Sequence, residues 1–496
     1  MAGSMSAKSI EQNTSLARAT VRGTSWTYIA FYSGKLMVFF SMIVLARLLT
    51  RDDFGVVGYA LAILGFLDVV KDLGIGSAVI YYKDRQVADT AFWLNLGTGV
   101  SLFVLVWALA PLISIYFNDP RAAQVTRVLA LSFPLNALGS THEALLIKDL
   151  QFGKKFLPDI ARAITKGVIA ISLAFMGFGP WSLIYSQLVG VSISVIVLWR
   201  LVRWRPSTAF DAEGARSLLT FGLPIVGMNL ISAFALNVDY LLVGRYLGSE
   251  ALGVYALAFR IPELTILQFC VIVAQVVFPV FNKMRDDIGA LKVGFLETAR
   301  YVALITVPVG LGMALLAEPF VLAFFGEKWI DAAPVMRAIA IYSLLISLGF
   351  NAGDVYKAQG RPGMLTRISI LHVVLLVPAL LWAVRVSASV ITVGWVQASI
   401  AFILSAVYLL VALKMINISV SQLFNSLKPP VLPGIGLAGA VIGVLNISGD
   451  LSPWIQLMAG ISCGAVAYFG VLFVVERPLV LATVRLVQSV IGSRSE

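Results

Sequence analysis

The sequence has little charge and almost no cysteine for a chain of its length. Only 13% of its 496 residues are charged, against roughly a quarter in soluble proteins. Its two cysteines, Cys270 and Cys463, both lie inside apolar stretches, so no disulfide framework is expected. We also find no spacing typical of a Ser/His/Asp or Cys/His catalytic site or of a metal site, and we expect no metal and no cofactor beyond a coupling ion, either a proton or sodium.

Long apolar runs dominate the sequence instead. Hydrophobic residues make up 59% of the chain, and the mean hydropathy is +0.91. Apolar runs of about 18 residues or more are typical of membrane-spanning helices. The net charge of +11 comes from basic residues spread over short connections, which fits membrane topology better than nucleic-acid binding. The sequence therefore predicts an all-α polytopic membrane protein.

The apolar pattern predicts about fourteen transmembrane helices. We divide the chain into a cytoplasmic segment (1–23), two six-helix bundles (24–205 and 206–428), and two additional helices with a cytoplasmic tail (429–496). The predicted spans are 24–48, 54–80, 90–117, 122–147, 157–177, 181–201, 219–247, 252–282, 296–317, 332–356, 364–385, 388–413, 430–447 and 454–475. The connections between them are short, which disfavours a large catalytic domain outside the membrane.

The distribution of lysine and arginine predicts the orientation. Basic residues concentrate in the termini and in the even-numbered connections. The odd-numbered connections hold only Arg47, Arg51, Arg121, Arg127, Arg245, Lys328, Arg337 and Arg385. Because cytoplasmic loops carry the excess of basic residues, both termini are expected in the cytoplasm.

A repeated segment supports the two-bundle organisation. Residues 244–255 (GRYLGSEALGVY) align without gaps on residues 46–57 (ARLLTRDDFGVV). This register matches Arg47 with Arg245 and Gly55 with Gly253. A two-helix unit that returns in this way indicates two homologous bundles.

The predicted spans nevertheless contain titratable residues, and these are costly in hydrocarbon. Such groups normally face a bundle interior or water, so their number predicts a hydrated cavity between the bundles. They are Lys35, Asp68, Lys71, Asp72, His142, Glu143, Lys166, Asp239, Arg260, Glu263, Asp354 and His372.

The second predicted helix carries small and acidic residues on one face. Gly65, Asp68, Asp72 and Gly76 follow helical spacing, and Lys71 lies three residues after Asp68. One carboxylate is left over, and an unpaired buried carboxylate suits proton exchange. A salt bridge near a helix end is the structural alternative.

Lys35 and Arg260 are the other candidate cations. Lys35 could pair with an acid of the second helix, or attract an anionic substrate. Arg260 and Glu263 flank Pro262, which removes a backbone hydrogen bond where helices line cavities. We therefore predict Lys35, Lys71 and Arg260 as substrate-binding cations, with Asp68, Asp72, Asp239 and Glu263 in a coupling or charge network.

The remaining polar residues have more ordinary explanations. Asn229, Ser232 and Asp239 share one side of the seventh span and predict a polar stripe. Snorkelling to the cytoplasmic interface is the expectation for Lys166, His142, Glu143 and Asp354. The G-x-G-x-x-G match at 434–439 lies in a membrane span without a preceding strand, so we interpret it as packing glycine, as for Gly349, Gly353, Gly439, Gly443, Gly460 and Gly464.

Three segments resemble a known family of bacterial polysaccharide transporters. They are residues 45–55 (LARLLTRDDFG), 72–80 (DLGIGSAVI) and 90–95 (TAFWLN). The family is that of the Wzx-type lipid-linked oligosaccharide flippases in the multidrug/oligosaccharidyl-lipid/polysaccharide exporter superfamily. The proline usual after Thr50 is Arg51 in this chain.

The resemblance implies two bundles around a central cavity and transport by alternating access. It also implies that undecaprenyl-diphosphate-linked oligosaccharide crosses the bacterial inner membrane for exopolysaccharide, capsule or O-antigen biosynthesis. The expected protein is a monomer, and its expected partners are the polysaccharide polymerase and the export machinery. A multidrug antiporter of the same superfamily, a membrane-embedded glycan polymerase or ligase, and a passive scaffold remain as alternatives.

Overall fold

The computed structural model describes residues 34, 37–71, 73–76, 79, 86–149 and 151–477. These residues form helices and turns, and none of them lies in a β-strand. Nine of the described helices are long and apolar enough to cross a membrane, so the all-α polytopic fold class is confirmed. The total of fourteen spans stays a prediction. The N-terminal segment 1–23, Lys35 and Asp72 lie outside the described residues.

The described residues form two compact units, divided after Asn237. The first unit contains α1 to α7 and the start of α8. Its helices are α1 (Met37–Leu48), α2 (Arg51–Leu67), α3 (Gln86–Phe117), α4 (Pro120–Ala130), α5 (Ser132–Lys148), α6 (Phe152–Phe175) and α7 (Pro180–Leu201).

Helix α2 begins where its sequence provides a complete N-terminal cap. The Thr50 side chain accepts a hydrogen bond from the Asp53 amide, and the Asp53 carboxylate accepts one from the Thr50 amide. Arg121, two residues after the N-cap Asp119 of α4, forms ion pairs with Asp52 at 2.5 Å and with Asp119 at 2.8 Å. These hydrogen bonds, led by the one with Asp52, raise the pKa of Arg121 above its usual range, and the network ties the starts of α2 and α4 together.

The second predicted helix does not run unbroken to residue 80. Helix α2 ends at Leu67, with Asp68 as its C-cap, and one looser turn follows to Lys71. Leu73 and Gly74 then adopt left-handed backbone angles, with φ of 45° and 70°. The prediction of one helical face from Gly65 to Gly76 is therefore wrong, because the regular helix ends at Leu67, between those residues.

Apolar side chains from five helices make the main core of the first unit. Tyr59 of α2 stacks on Phe117 of α3 with ring centroids 4.3 Å apart. The buried cluster around α2 comprises Val56, Val57, Ala60, Leu64, Leu102, Val106, Val125, Leu129, Ala130, Phe133 and Ile184. Burial at consecutive positions 55–60 shows that α2 is enclosed on more than one side.

Helix α8 (Ala212–Pro262) contains the seventh predicted span and the first part of the eighth. It bends at Gly248, where φ is 84° and ψ is −177°. Gly248 aligns with Thr50 in the sequence repeat, so the chain turns at matching positions of the repeat. The compact units divide within α8, whereas the bundle boundary at residue 205 follows the repeat and stays a prediction.

The second unit continues α8 with nine further helices. They are α9 (Gln268–Lys283), α10 (Ile288–Leu315), α11 (Ala317–Phe324), α12 (Ala332–Gly349), α13 (Ala352–Ala358), α14 (Gly363–Trp382), α15 (Val390–Met415), α16 (Val420–Ile447) and α17 (Pro453–Val475). A π-helical turn, Glu263–Leu267, joins α8 to α9, and another, Ala383–Ser387, follows α14.

The last two helices pack onto the second unit through a buried tyrosine. The Tyr468 hydroxyl of α17 lies 3.2 Å from the Leu304 carbonyl of α10 and 3.3 Å from the Pro430 carbonyl of α16. Helix α16 begins ten residues before its predicted start, because Ser419 and Gln422 form a capping box there. Pro430, which marked the predicted start, lies inside the helix.

The packing glycines are predicted correctly at six of the eight positions, which include Gly434 and Gly436 of the 434–439 match. A Cβ atom at Gly349 would lie 3.1 Å from Ser405, and one at Gly460 would lie 2.5 Å from Leu316. Gly353 and Gly464 are similarly close to neighbouring side chains. Gly439 and Gly443 are wrong predictions, because a Cβ atom there meets nothing within 4 Å among the described residues.

Candidate functional site

An exposed ion pair follows the end of α2 in the first unit. The Lys71 ammonium lies 3.0 Å from the Asp68 carboxylate, and the two side chains are 36% and 53% exposed. The pairing expected from their spacing is present, although Asp68 caps the helix instead of lying within it. The predicted partners Lys35 and Asp72 lie outside the described residues.

Gly65, a small residue of the predicted acidic face, lies at a close contact between α2 and α8. A Cβ atom at Gly65 would lie 2.9 Å from the Asn237 side-chain oxygen of α8, and Phe66 meets Phe234 edge to face. Asn229 and Ser232, on the same part of α8, are exposed. The structure therefore places these two residues on the surface of the first unit, and the polar stripe with Asp239 stays a prediction.

Asp239 is the buried acid of the second unit, with 2% exposure. One carboxylate oxygen accepts hydrogen bonds from the Tyr255 hydroxyl at 2.5 Å and the Gln397 amide at 2.9 Å. The other oxygen accepts one from the Tyr240 backbone amide at 2.9 Å. The carboxylate is thus satisfied by neutral donors from α8 and α15, which fits the need of buried polar groups for hydrogen bonds.

Aromatic rings surround this carboxylate. Tyr240 and Tyr255 meet with ring centroids 5.3 Å apart, and Phe259 lies 5.8 Å from Tyr255. Tyr342 of α12 lies 5.8 Å from Phe259. The rings limit the access of bulk water to Asp239 and connect α8 with α12.

Arg260 and Glu263 form the second exposed ion pair. Their charged groups are 2.9 Å apart, and the side chains are 41% and 38% exposed. Pro262 lies between them, and the π-helical turn starts at Glu263. Such turns are rare and occur frequently at functional sites. Here the turn widens the backbone where the charged pair reaches the surface of the second unit.

The other titratable residues of the predicted spans differ in burial and in pairing. Lys166 is exposed, and Glu143 pairs with Lys155 at 2.9 Å. His142 and Asp354 are buried, with 0% and 3% exposure, so snorkelling is the wrong explanation for these two. His142 stacks on Trp199 with centroids 4.8 Å apart. Asp354 is reached by the exposed ammonium of Lys357 at 3.1 Å.

The sequence reasoning missed Tyr255 and Gln397 as partners of Asp239. Tyr255 lies in the repeated segment, and Gln397 is a polar residue in an apolar span. That lone glutamine is the available signal, since a buried amide needs partners. Its partner could not be read from the sequence, because Gln397 meets Asp239 only through the packing of α15 on α8.

Comparison with known proteins gives consistent results. The model of a family described as polysaccharide biosynthesis protein matches residues 44–334. The teichuronic acid biosynthesis protein TuaB of Bacillus subtilis (strain 168) is 29% identical over 462 residues, which cover 92% of this chain and 95% of TuaB. The lipopolysaccharide biosynthesis protein WzxC of Escherichia coli (strain K12) is 28% identical over 396 residues, covering 78% of this chain and 80% of WzxC.

A solved structure shares the fold. The lipid II flippase MurJ in an inward closed conformation aligns with a TM-score of 0.73 and 16% identity, over 92% of this chain and 99% of MurJ. At this identity the similarity concerns the fold alone. It covers both compact units.

Proposed function

This chain belongs to the family of polysaccharide biosynthesis proteins, and we propose that it moves undecaprenyl-diphosphate-linked oligosaccharide repeat units across the bacterial inner membrane. The proposed direction is from the cytoplasmic to the outer leaflet, by alternating access. The family match and the similarity to WzxC confirm the resemblance to polysaccharide transporters. The names of TuaB and WzxC refer to different polysaccharides, so we infer that the shared step acts on the lipid carrier and its diphosphate.

The main structural support for this proposal is the exposed Arg260–Glu263 ion pair. It lies within Asn229–Lys283, a stretch that is long and apolar enough to span the membrane. Both side chains are more than one-third exposed, and charged groups at membrane depth avoid hydrocarbon. This surface is therefore expected to face water, as a polar headgroup in transit requires.

The chemistry of the pair suits a diphosphate. The guanidinium of Arg260 has a planar set of donors that matches phosphate oxygens, and the carboxylate of Glu263 neutralises it when no substrate is bound. A diphosphate would compete with Glu263 for Arg260. Lys71 with Asp68 offers a second pair of the same kind, and Lys35 remains a proposed third cation.

The energy source is proposed from electrostatics. Movement of one charge across the membrane potential is worth about 2.3 kcal/mol per 100 mV. With the inside negative, outward movement of an anionic headgroup is favoured. Asp239, Asp68 and Asp72 are candidates for a proton or sodium ion that drives the return step.

The proposal also covers the topology, the oligomeric state and the partners of the protein. We place both termini in the cytoplasm and expect the protein to act as a monomeric secondary transporter rather than an enzyme. Polymerase and export proteins are the expected partners. A multidrug antiporter is the alternative, but it would need exposed acids without neighbouring cations, whereas Asp68 and Glu263 each pair with one.

Ligand-induced thermal stabilisation tests the proposed substrate. A ligand at about 100 times its Kd stabilises a protein by about 2.7 kcal/mol. We expect undecaprenyl-diphosphate-linked sugar to raise the apparent unfolding temperature of the purified protein. Arg260→Ala and Lys35→Ala should lose this increase, because each removes a cation for the diphosphate.

Arg285→Ala is the matched control, since Arg285 is 59% exposed in a turn and pairs with its neighbour Asp286. The control should retain the full stabilisation. A wild-type protein that is stabilised by organic cations and not by the lipid-linked sugar would favour the antiporter. Equal loss in Arg285→Ala and Arg260→Ala would remove the role assigned to Arg260.

A further inference from the structure

Two aromatic side chains of α8 are only half-buried in the second unit. Tyr240 and Phe259 meet with ring centroids 6.1 Å apart and ring planes inclined by 63°. Each of them is half-buried, whereas the neighbouring Tyr255 and Tyr342 are 0% and 6% exposed. The two buried rings already fill the space beside Asp239. Part of the Tyr240 and Phe259 rings therefore remains available to a ligand.

Both half-buried rings adjoin the Arg260–Glu263 ion pair. Residues of an α-helix are about 100° apart around its axis, so Glu263 lies about 60° from Arg260 and Phe259 about 100° from it, on the same side. Glu263 is thus next to both the guanidinium and the Phe259 ring. Tyr240 reaches the same place from the other side of the Gly248 bend, since it interacts electrostatically with Arg260 and with Glu263.

A small residue leaves room between the ring and the guanidinium. Ala256 lies three residues before Phe259 and four before Arg260, so its Cβ shares their face of the helix. Ala256 is also half-buried, and its methyl group leaves open the space that a longer side chain would fill. Tyr240, Ala256 and Phe259 together form an aromatic surface at the edge of the ion pair.

The proposed substrate places a sugar at this position. In a diphosphate-linked oligosaccharide the first sugar is bonded to the diphosphate through its anomeric oxygen. Consecutive Cα atoms are about 3.8 Å apart, so a diphosphate held by Arg260 brings the first sugar within reach of Phe259. The prenyl chain at the other end is hydrocarbon, and its burial in lipid is favoured over a place beside exposed charges.

The aromatic surface suits a sugar ring in its chemistry. A pyranose presents C–H groups on its faces and hydroxyl groups around its rim. The face of an aromatic ring is apolar and carries partial negative charge, so it attracts C–H groups that carry partial positive charge. The charged groups of Arg260 and Glu263 lie beside the rings, where the hydroxyl rim would be.

We propose that Tyr240, Ala256 and Phe259 form a binding site for the first sugar of the lipid-linked oligosaccharide, the one bonded to the diphosphate. The sugar lies over Ala256 with an apolar face against the aromatic rings. The diphosphate replaces Glu263 on Arg260, and the released carboxylate accepts hydrogen bonds from sugar hydroxyls, because a carboxylate is an acceptor only. The inference deepens the proposed function and rests on it, since Arg260 must hold the diphosphate.

Competition binding to the purified full-length protein tests this site. Radiolabelled undecaprenyl diphosphate is the tracer, and the competitors are unlabelled undecaprenyl diphosphate and the same lipid linked to glucose or to galactose. For the wild type we expect the better hexose-linked lipid to bind about fivefold more tightly than the lipid without sugar, as for one aromatic contact. This ratio of dissociation constants measures the sugar contact separately from the diphosphate contact.

Three substitutions separate the two contacts. Tyr240→Leu removes an aromatic face and Ala256→Leu fills the open space, so both should bring the ratio close to one while undecaprenyl diphosphate still binds as in the wild type. Tyr240→Phe keeps the ring and should keep the wild-type ratio. Arg260→Ala should weaken the binding of all the lipids, because each carries the diphosphate.

Tyr301→Leu and Ala465→Leu are the matched controls, because both residues are exposed and lie on other helices. Both should keep the wild-type ratio. Each variant is first checked for wild-type thermal unfolding, and Ala256→Leu provides the test if Tyr240→Leu does not fold.

Two kinds of result would overturn the sugar site and leave the diphosphate site in place. One is equal affinity of the wild type for the lipids with and without sugar. The other is a wild-type ratio in both Tyr240→Leu and Ala256→Leu, or the same loss of the ratio in the controls. Equal weakening of all the lipids in Tyr240→Leu would also reject a contact with the sugar. A wild type that binds none of the lipids would instead refute the proposed function, and the sugar site with it.

Discussion

At the scale of single residues, the two kinds of acid in the second unit differ in their partners. The Glu263 carboxylate is half-exposed beside Arg260, whereas the Asp239 carboxylate is buried among neutral donors. Neutral donors can hydrogen-bond to a carboxylate. After one of them rotates away, the same site can also accommodate a carboxylic acid. The environment of Asp239 is therefore compatible with a change of charge, while that of Glu263 suits exchange of one anion for another.

The hydroxyl of Tyr255 should contribute measurably to stability. Tyr255→Phe keeps the ring contacts but removes one donor from a buried carboxylate, and such a loss costs about 1–3 kcal/mol. We expect a lower apparent unfolding temperature in detergent. Tyr301→Phe is the control, because Tyr301 is 51% exposed. Equal unfolding temperatures for wild type and Tyr255→Phe would contradict the assigned hydrogen bond.

At the scale of elements, two exposed ion pairs lie where the helices depart from regular geometry. The Asp68–Lys71 pair follows the end of α2, and Arg260–Glu263 spans the start of a π-helical turn. Both positions interrupt regular helical hydrogen bonding. Departures from regular helix within a membrane are tolerated where protein or water surrounds them, which is consistent with a hydrated surface at these places.

The bend of α8 should depend on glycine at position 248. Its φ of 84° and ψ of −177° lie in a region essentially restricted to glycine. A Cβ atom there meets nothing within 4 Å, so the penalty for Gly248→Ala is backbone strain of about 1–3 kcal/mol. The measurement is thermal unfolding of the purified protein.

Gly439→Ala is the matched control for this bend. A Cβ atom at Gly439 also meets nothing within 4 Å, but the residue lies within helix α16. Alanine is favoured over glycine in a helix by about 0.5–1 kcal/mol. We therefore expect no loss of stability in Gly439→Ala, and an equal loss in both variants would argue against strain at Gly248.

At the scale of the whole molecule, the distribution of basic residues predicts the orientation that the proposed transport requires. Outward movement of an anionic headgroup along the membrane potential needs the basic connections inside. This topology is a prediction of the sequence. It can be measured with exposed residues in the predicted connections.

Labelling with a membrane-impermeant maleimide checks the orientation. After replacement of both native cysteines by alanine, Glu250→Cys lies in an odd-numbered connection and Asp286→Cys in an even-numbered one. Both positions are exposed. In intact spheroplasts we expect labelling of the first variant only, with the second labelled after lysis. The opposite pattern would reverse the proposed direction of transport.

The sequence by itself determined the fold class, most helix positions and the pairing of charges close along the chain. Hydropathy depends on composition over a window, and the pairs Asp68–Lys71 and Arg260–Glu263 depend on spacing within one turn. These properties are local, so they could be read without coordinates. The resemblance to polysaccharide transporters was also carried by short contiguous motifs.

Only the tertiary structure decided which polar residues meet across helices. Asp239, Tyr255 and Gln397 come from different parts of the chain and meet within the second unit. The end of α2 before Asp68 and the burial of Ser343 and Asp354 also depend on packing. The physical reason is that a helical pattern specifies a side-chain direction, whereas the neighbour in that direction is set by the other helices.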